Sequence, residues 1–360
     1  MNCVLIKKKT ILEDKQTLYP GEVYLVKDYL KANTDTFMSF TFNDFIKKLS
    51  GDNISNKSNS ILIFRGGGIG DLIALSSICE YYKDSNIYFF TQKKYFPLFS
   101  WFNTAVTPLN IYGPLLKDFS FKNQITKFKH YRSFIGEGLI ETGDRRNWYK
   151  LMYNYAGLDK IHHSHFRPSL KGTSTKESEC RYILIMNKAN VMHRSIEFST
   201  IFNALFPFLR DYHQVFVYAD HLSDNDRDYL KNLDYKSRSL IDILQAENLD
   251  EFLWTVNDAN LVISVDTSAL HFREGIKKPA IGLYSSFTTE SRTKYYKYTK
   301  SYDIKSECKH QPCFLHPKTN LEFCPACSSH QFAPPCVSNQ TNKTLHNQLL
   351  NIFEINKNLI

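Results

Sequence analysis

The chain has 360 residues, 42% hydrophobic and 14% aromatic, which is enough to build more than one packed core and long enough to divide into two domains. No run approaches the roughly 18 apolar residues of a membrane-spanning helix. The N-terminal charges follow the apolar residues 3–6 instead of preceding them, the wrong order for a signal peptide. A cytoplasmic protein with no transmembrane segment is therefore expected, and the net charge of +9 favours anionic partners such as nucleotide diphosphates or nucleic acid.

Residues 1–58 precede a regular alternation of strands and helices. Within them, 3–6 and 23–26 read as strands around the Tyr19-Pro-Gly21 turn, 42–49 as a helix and 51–59 as a linker rich in Asn and Ser. The extension reads as an added hairpin, a homo-oligomer contact or an acceptor-binding patch.

A glycine-rich junction comes next. Ile61-Leu-Ile-Phe64 is a short apolar strand, Arg65-Gly-Gly-Gly-Ile-Gly-Asp71 a turn, and 72–82 a helix. Glycine at 66, 67, 68 and 70 strips the turn of every Cβ except that of Ile69, so a ligand can approach the backbone, and Gly68 and Gly70 are taken as such contacts. The spacing is not G-x-G-x-x-G, no acidic residue ends the next strand at 85–90, and no Lys-Ser or Lys-Thr follows as a P-loop requires. Asp71 remains, a carboxylate in the first helical turn. It reads as a helix cap or as a base that takes the proton of an attacking hydroxyl.

Further along, 132–136 is a strand. The stretch 117–132 carries Lys117, Lys122, Lys127, Lys129, His130 and Arg132 and reads as a polar helix face or as a nucleic-acid backbone contact. A helix starts at Asp144 and runs to about Tyr155. His162, His163 and His165 read as loop residues, because no cysteine or carboxylate follows at a metal-ligand spacing. Residues 168–179 contain almost nothing apolar and mark an interdomain linker. The organisation expected is an extension over 1–58, a first Rossmann-like domain over 59–168 and a second over 180–345.

The second domain repeats the alternation: strands at 182–186, 214–218, 262–265 and 280–284, and helices at 198–208, 224–233 and 249–256. Its richest segment is Val262-Ile-Ser-Val-Asp-Thr-Ser-Ala-Leu-His271. The strand stops at Asp266-Thr-Ser268, and 270–277 reads as a short helix that Pro279 ends. Hydroxyls and unbonded backbone N–H groups at a helix N-terminus, outside the carboxyl end of a parallel strand, form an anion site. An ordinary capped strand–helix junction has the same local pattern.

Taken together, Arg65-Gly-Gly-Gly-Ile-Gly-Asp71 and Asp266-Thr-Ser-Ala-Leu-His271 with Lys278-Pro279, in this order and about two hundred residues apart, resemble the two motifs of the heptosyltransferase family of glycosyltransferases. The resemblance covers residues 60 to about 340. It implies the α/β GT-B fold, two Rossmann-like domains facing a cleft, with acceptor on the first domain and nucleotide sugar on the second. It places the general base on Asp71, the diphosphate contacts on Asp266, Thr267, Ser268 and His271, and a basic clamp on Lys188 and Arg194. Such enzymes need no catalytic divalent metal. The family's glycine after the Asp-Thr pair is Ser268 here, which alters the expected phosphate contacts.

Five of the eight cysteines, Cys308, Cys313, Cys324, Cys327 and Cys336, crowd into 29 residues. In a cytoplasmic chain such crowding suggests a metal, and four thiolates would hold one structural zinc or iron ion. The segment resembles the iron-binding cysteine finger of bacterial autotransporter heptosyltransferases. The expected activity is sugar transfer from a nucleotide diphosphate donor to a surface glycan or protein, in a bacterial cell. Two alternatives are a phage-type enzyme acting on hydroxymethylated DNA in an infected cell, and a non-catalytic, metal-stapled nucleic-acid-binding module.

Overall fold

The structure is a computed structural model, and it describes residues 2–6, 10–11, 17–18, 23–26, 37–41, 60–65, 68–110, 132–135, 147–156, 158, 160–172, 181–189, 194–209, 213–305 and 343–360. The chain divides into two units, Met1–Leu139 with Met152–Lys160, and Ile140–Leu151 with Ile161–Ile360. No described helix is long and apolar enough to cross a membrane.

The first unit opens with β1 (Asn2–Ile6), β2 (Thr10–Ile11), β3 (Thr17–Leu18), β4 (Val23–Val26) and β5 (Phe37–Thr41). They pair antiparallel, in a three-stranded sheet of order β4-β1-β5 and a β2-β3 ribbon. A parallel sheet follows, made of β6 (Ser60–Phe64), β7 (Asn86–Thr91), β8 (Thr107–Asn110) and β9 (Arg132–Ile135) in the order β8-β7-β6-β9. Helix α1 (Ile69–Tyr81) links β6 to β7, and its residues 72–79 are all buried. A helix enclosed on every side must be apolar on every side. The two exceptions, Ser76 and Ser77, return their hydroxyls to the carbonyls of Ile73 (2.5 Å) and Ala74 (2.8 Å). Cys79 is a core residue, as its helical position predicts, and burial pushes its thiol up. Helix α2 (Trp148–Tyr155) gives its end to this unit: wholly buried Tyr153 donates its hydroxyl to the Ser77 carbonyl at 3.1 Å.

The second unit carries β10 (Arg181–Met186), α3 (Phe198–Leu205), β11 (His213–Tyr218), α4 (Asp224–Asn232), α5 (Tyr235–Ser239), β12 (Ile241–Leu244) and α6 (Leu249–Asp258). It continues with β13 (Leu261–Val265), α7 (Ser268–Gly275), β14 (Ala280–Tyr284), α8 (Thr289–Arg292), β15 (Thr299–Asp303) and α9 (Lys343–Ile355). Its six strands form one parallel sheet of order β12-β11-β10-β13-β14-β15. Every residue of β13 and β14 is buried, which is why both read as nearly continuous apolar runs, broken only by Ser264, instead of alternating ones. The core on one side unites Ile201, Phe202 and Leu205 of α3 with Leu349 and Phe353 of α9. Buried Asp226 joins two helix starts, accepting from Ser223 N (3.1 Å), Phe198 N (3.2 Å) and Ser199 N (2.9 Å).

Several expectations shift. The helix expected over 198–208 ends at Leu205 and tightens into a 3₁₀ turn at 206–208, where Pro207 cannot continue an α-helix. Helix α7 begins at Ser268, two residues before the expected start, because Thr267 caps it. Strands β2, β3, β5, β8, β12 and β15 and helices α5, α8 and α9 were not anticipated. The helix at 42–49, the linker at 51–59 and most of the basic stretch at 117–132 lie outside the described residues.

Helix α7 is fixed by its own last turn. The Arg273 side chain is fully buried and donates to the carbonyls of Val256 (3.0 Å), Asn257 (3.2 Å), Ala259 (2.8 Å), Asn260 (3.1 Å) and Pro279 (2.9 Å). Next to it, the Glu274 carboxylate accepts from the backbone N–H groups of Lys297 (2.8 Å), Tyr298 (2.8 Å) and Thr299 (3.0 Å). The chain leaves the helix through left-handed Lys277 (φ 61°), with Lys278 N bonding back to Arg273 O at 3.0 Å. Arg273→Leu strands these carbonyls in a dry interior and should cost about 3–5 kcal/mol. Arg273→Lys should lose less, since an ammonium reaches some of the acceptors but cannot span them all. Urea unfolding of both variants tests the order, and equal stability of Arg273→Leu and wild type would refute it.

Candidate functional site

In the six-stranded sheet, β10 and β13 are neighbours whose following connections depart to opposite sides. A parallel sheet opens a crevice at such a switch point, outside the carboxyl ends of the strands. Lys188 and Arg194 follow β10, and Asp266, Thr267 and Ser268 follow β13.

Asp266 is nearly enclosed, with a side chain 5% exposed, and its Oδ2 accepts from Arg194 Nη1 at 3.2 Å. Arg292 Nε stands 4.0 Å from the same oxygen. Burial alone would raise the Asp266 carboxyl, but Arg292, Arg194 and His271 outweigh it and hold the group below the usual carboxylate range. The Arg292 guanidinium lies between two rings, 3.7 Å from the Phe287 centroid and 4.7 Å from that of Trp148. Arg194 approaches the Phe287 ring at 5.8 Å. One carboxylate and two aromatic faces thus hold two guanidinium groups at the switch point.

Thr267 caps α7, its Oγ1 accepting from Ala269 N at 3.2 Å. The same oxygen lies 2.8 Å from Ser264 Oγ, which also reaches Val265 O at 2.7 Å. If Ser264 gives its proton to Val265 O, the Thr267 proton turns inward to Ser264. If it gives it to Thr267, the Thr267 proton turns away from Ser264. Ser268 is half-buried in the first turn. One turn on, His271 is 3% exposed, with Nδ1 2.6 Å from the Tyr296 hydroxyl and its ring 5.0 Å from that of Trp148. Tyr296 in turn meets Tyr149 at 2.7 Å between hydroxyls. Asn147, just before α2, donates to the carbonyls of Glu290 (3.2 Å) and Ser291 (3.4 Å), which seats Trp148 against this group.

Lys188 attaches elsewhere, donating to the Asp220 carbonyl at 2.5 Å beyond the end of β11. Beside it lies His221, whose Nδ1 has no hydrogen-bond partner among the described residues. Burial lowers the His221 imidazole to about 4, with Asp220 opposing and Lys188 assisting.

In the first unit, Asp71 forms an ion pair with Arg65, whose side chain is 8% exposed. Gly68 caps α1 at φ +65°, and its carbonyl accepts from Asp71 N (3.1 Å) and Leu72 N (3.2 Å). Gly70, expected in the turn, is the second residue of α1. Gly66 and Gly67 lie outside the described residues.

Arg194, Asp266, Thr267 and His271 therefore share one cluster, while Lys188 sits with Asp220 and His221. Arg292, Phe287, Trp148, Tyr149, Tyr296 and Ser264 were not anticipated. Of these, Ser264 lies in the strand that leads into the second motif. The others reach the cluster through tertiary folding, which no local pattern reports.

The structural zinc or iron site requires correction. Among the described residues no group of three or more His, Cys, Asp or Glu side chains could hold a metal ion, whereas such a site needs four converging donors. Cys79 is buried alone in α1, and His163 stacks on Tyr295 at 5.5 Å while His162 Nδ1 engages Ser164 Oγ at 2.9 Å. Cys308, Cys313, Cys324, Cys327 and Cys336 lie outside the described residues, so the cysteine finger has no support here.

Two predictions follow from this geometry. A Cβ on Gly68 would lie 2.5 Å from Asp71 Oδ2, so Gly68→Ala should displace the carboxylate and cost about 1–3 kcal/mol for the left-handed backbone as well. An unchanged unfolding midpoint would contradict this. The second concerns pH. Because folding depresses the His221 value to about 4, the unfolded chain binds its proton first as pH falls below the ordinary value of about 6.5. Stability should fall progressively from there to about pH 4, by a few kcal/mol, and level off below. His221→Gln should flatten that slope in denaturation series; an identical slope would rule out His221 as its source.

Residues 148–323 match the family model "Glycosyltransferase family 9 (heptosyltransferase)". No curated protein matches the chain in sequence. Among solved structures it resembles E. coli ADP-heptose lps heptosyltransferase II, with TM-score 0.52 and 11% identity over 83% of this chain and 98% of that one. It resembles the bacterial iron-containing dodecameric glycosyltransferase TibC of enterotoxigenic E. coli H10407 with TM-score 0.54 and 10% identity over 99% and 91%. For the E. coli heptosyltransferase WaaC with ADP the values are 0.51 and 10% over 68% and 93%. At such identities the likeness is one of fold. Residues 148–323 are thus similar to glycosyltransferase family 9, the heptosyltransferases, and the chain is a nucleotide-sugar-dependent glycosyltransferase.

Proposed function

We propose that the protein transfers a sugar, in the manner of a heptosyltransferase, from a nucleotide diphosphate donor to a hydroxyl of a surface glycan or protein. The arrangement is that of a GT-B enzyme, with the acceptor served by the first parallel-sheet domain and the donor by the second. The observation that carries the reading is the cluster at the β10/β13 switch point: a hydroxyl-capped helix start beside two guanidinium groups held by Asp266. Fixed cations and helix-terminal N–H groups stabilise a diphosphate best as it gains charge on departure.

Each remaining residue takes a part. Asp71, oriented by Arg65 and given room by Gly68, accepts the acceptor proton while the acceptor oxygen bonds to the anomeric carbon and the carbon–diphosphate bond breaks. Thr267 and Ser268 meet the diphosphate, Arg194 and His271 flank it, and Lys188 extends the basic edge. Asp266 acts through the guanidinium groups, since a carboxylate facing the diphosphate would repel it. Assembly into a homo-oligomer belongs to the same reading, TibC being dodecameric. The DNA acceptor rested on the Lys/Asn-rich character of the chain, its net charge and the extension over 1–58, and no further observation favours it. The non-catalytic reading is set aside by the family relationship.

The test is mass spectrometry of products formed from a panel of nucleotide sugars with glycan, protein and hydroxymethylated-DNA acceptors. Wild type should glycosylate a glycan or protein. Asp71→Asn should lose about 10²–10⁴-fold in turnover while binding nucleotide diphosphate normally. Full turnover in Asp71→Asn removes the base assignment, and transfer confined to DNA removes the acceptor class.

A further inference from the structure

We propose that Tyr296, backed by Tyr149, is a positioning residue that fixes which nitrogen of His271 carries the proton, so that Nε2 meets the departing diphosphate as an N–H donor. The proposal rests on the reading of His271 as a diphosphate contact.

Three polar atoms stand in line: Tyr149 hydroxyl, Tyr296 hydroxyl at 2.7 Å, and His271 Nδ1 at 2.6 Å from the latter. Each phenol has one proton to give, so the chain has a direction. An imidazole nitrogen accepts more strongly than a phenol oxygen, and a phenol O–H donates more strongly than a neutral imidazole N–H. Tyr296 therefore donates to Nδ1, and Tyr149 donates to the Tyr296 oxygen. With Nδ1 occupied as an acceptor, the single proton of neutral His271 resides on Nε2. Burial, and after it the Tyr149 phenol, raises the Tyr296 hydroxyl well above its ordinary value, so it remains a donor.

The surroundings suit this task. Trp148 lies along the imidazole at an interplanar angle of 30°, which restricts rotation of the ring. Tyr296 meets the same ring edge-on at 88°. The charges nearby are Asp266, Arg194 and Arg292, already engaged with one another, and Glu274, whose carboxylate is bound by three backbone N–H groups. A phenylalanine at 296 would leave the neutral ring free to place its proton on Nδ1, presenting a lone pair to the phosphate oxygens.

The full chain carrying ¹⁵N-histidine, as wild type, Tyr296→Phe, Tyr149→Phe and His271→Gln, provides the test. In wild type, neutral His271 should show an unprotonated Nδ1 and a protonated Nε2 resonance. Tyr296→Phe should mix the two tautomers, and Tyr149→Phe should do so in part. Affinity for inorganic pyrophosphate should fall about ten- to a hundredfold in Tyr296→Phe, the scale of one hydrogen bond to a charged group. It should fall no further when that change is added to His271→Gln. Unchanged tautomer resonances in Tyr296→Phe, or losses that add in the double variant, overturn the proposal alone. Undiminished pyrophosphate binding in His271→Gln overturns the reading of His271 as a diphosphate contact, and the proposal with it.

Discussion

The placement of the N-terminal end of α7 depends on a guanidinium buried at its other end. Arg273 binds the carbonyls of residues 256, 257, 259, 260 and 279, and so ties α7 to the end of α6, the start of β13 and the start of β14. Burial lowers its basicity, a sign that the charge is held at a cost in desolvation. Several aligned carbonyl dipoles offset that cost, and they do so only while every segment is in place. Glu274 binds the other direction, holding the chain that enters β15 through three N–H groups. A helix of eight residues has little stability of its own. With adjacent positions locked to opposite sides, its first turn is set in place.

Sheet topology then decides what that first turn meets. The order β12-β11-β10-β13-β14-β15 places the loop after β10 beside the loop after β13, so Arg194 reaches Asp266 across 72 residues of sequence. Arg292, from beyond β14, arrives over Phe287 and Trp148. Two guanidinium groups close together repel, and Asp266 together with the aromatic faces makes their proximity tolerable. The depressed Asp266 carboxyl is the thermodynamic record of that arrangement. Its stabilising contribution is complete above the ordinary carboxylate value of about 4 and is lost as pH falls through the lower folded value.

How much of this the sequence discloses depends on where the determinants lie. The strands β13 and β14 are legible because a parallel strand buried on both faces reads as a nearly continuous apolar run, and 262–265 and 280–284 are such runs; 61–64 is apolar in sequence in the same way. β15, with the sequence Thr-Lys-Ser-Tyr-Asp, is not legible. It is a strand because β14 offers a paired edge, a fact about its neighbour. The motif residues Gly68, Asp71, Asp266 and Thr267 were found because glycine conformations and helix caps are local. Trp148 and Tyr149 lie more than 120 residues from His271 and reach the cluster only through tertiary packing. The cysteine spacing suggested a metal by composition alone, and spacing does not establish that donors converge.

One design recurs in both units, and its logic is electrostatic preorganisation. Under the proposed function, proton abstraction calls for a carboxylate and diphosphate departure for cations, and each charge would be costly to hold in a partly dry site on its own. Asp71 is held by Arg65, and Arg194 and Arg292 by Asp266. Each ion pair fixes a charged group in place before any substrate arrives, so little reorganisation remains for the moment of reaction. The backbone features around them serve the same end. Gly68 removes the Cβ that would strike the Asp71 carboxylate, and the Thr267 cap orders the turn beside Asp266.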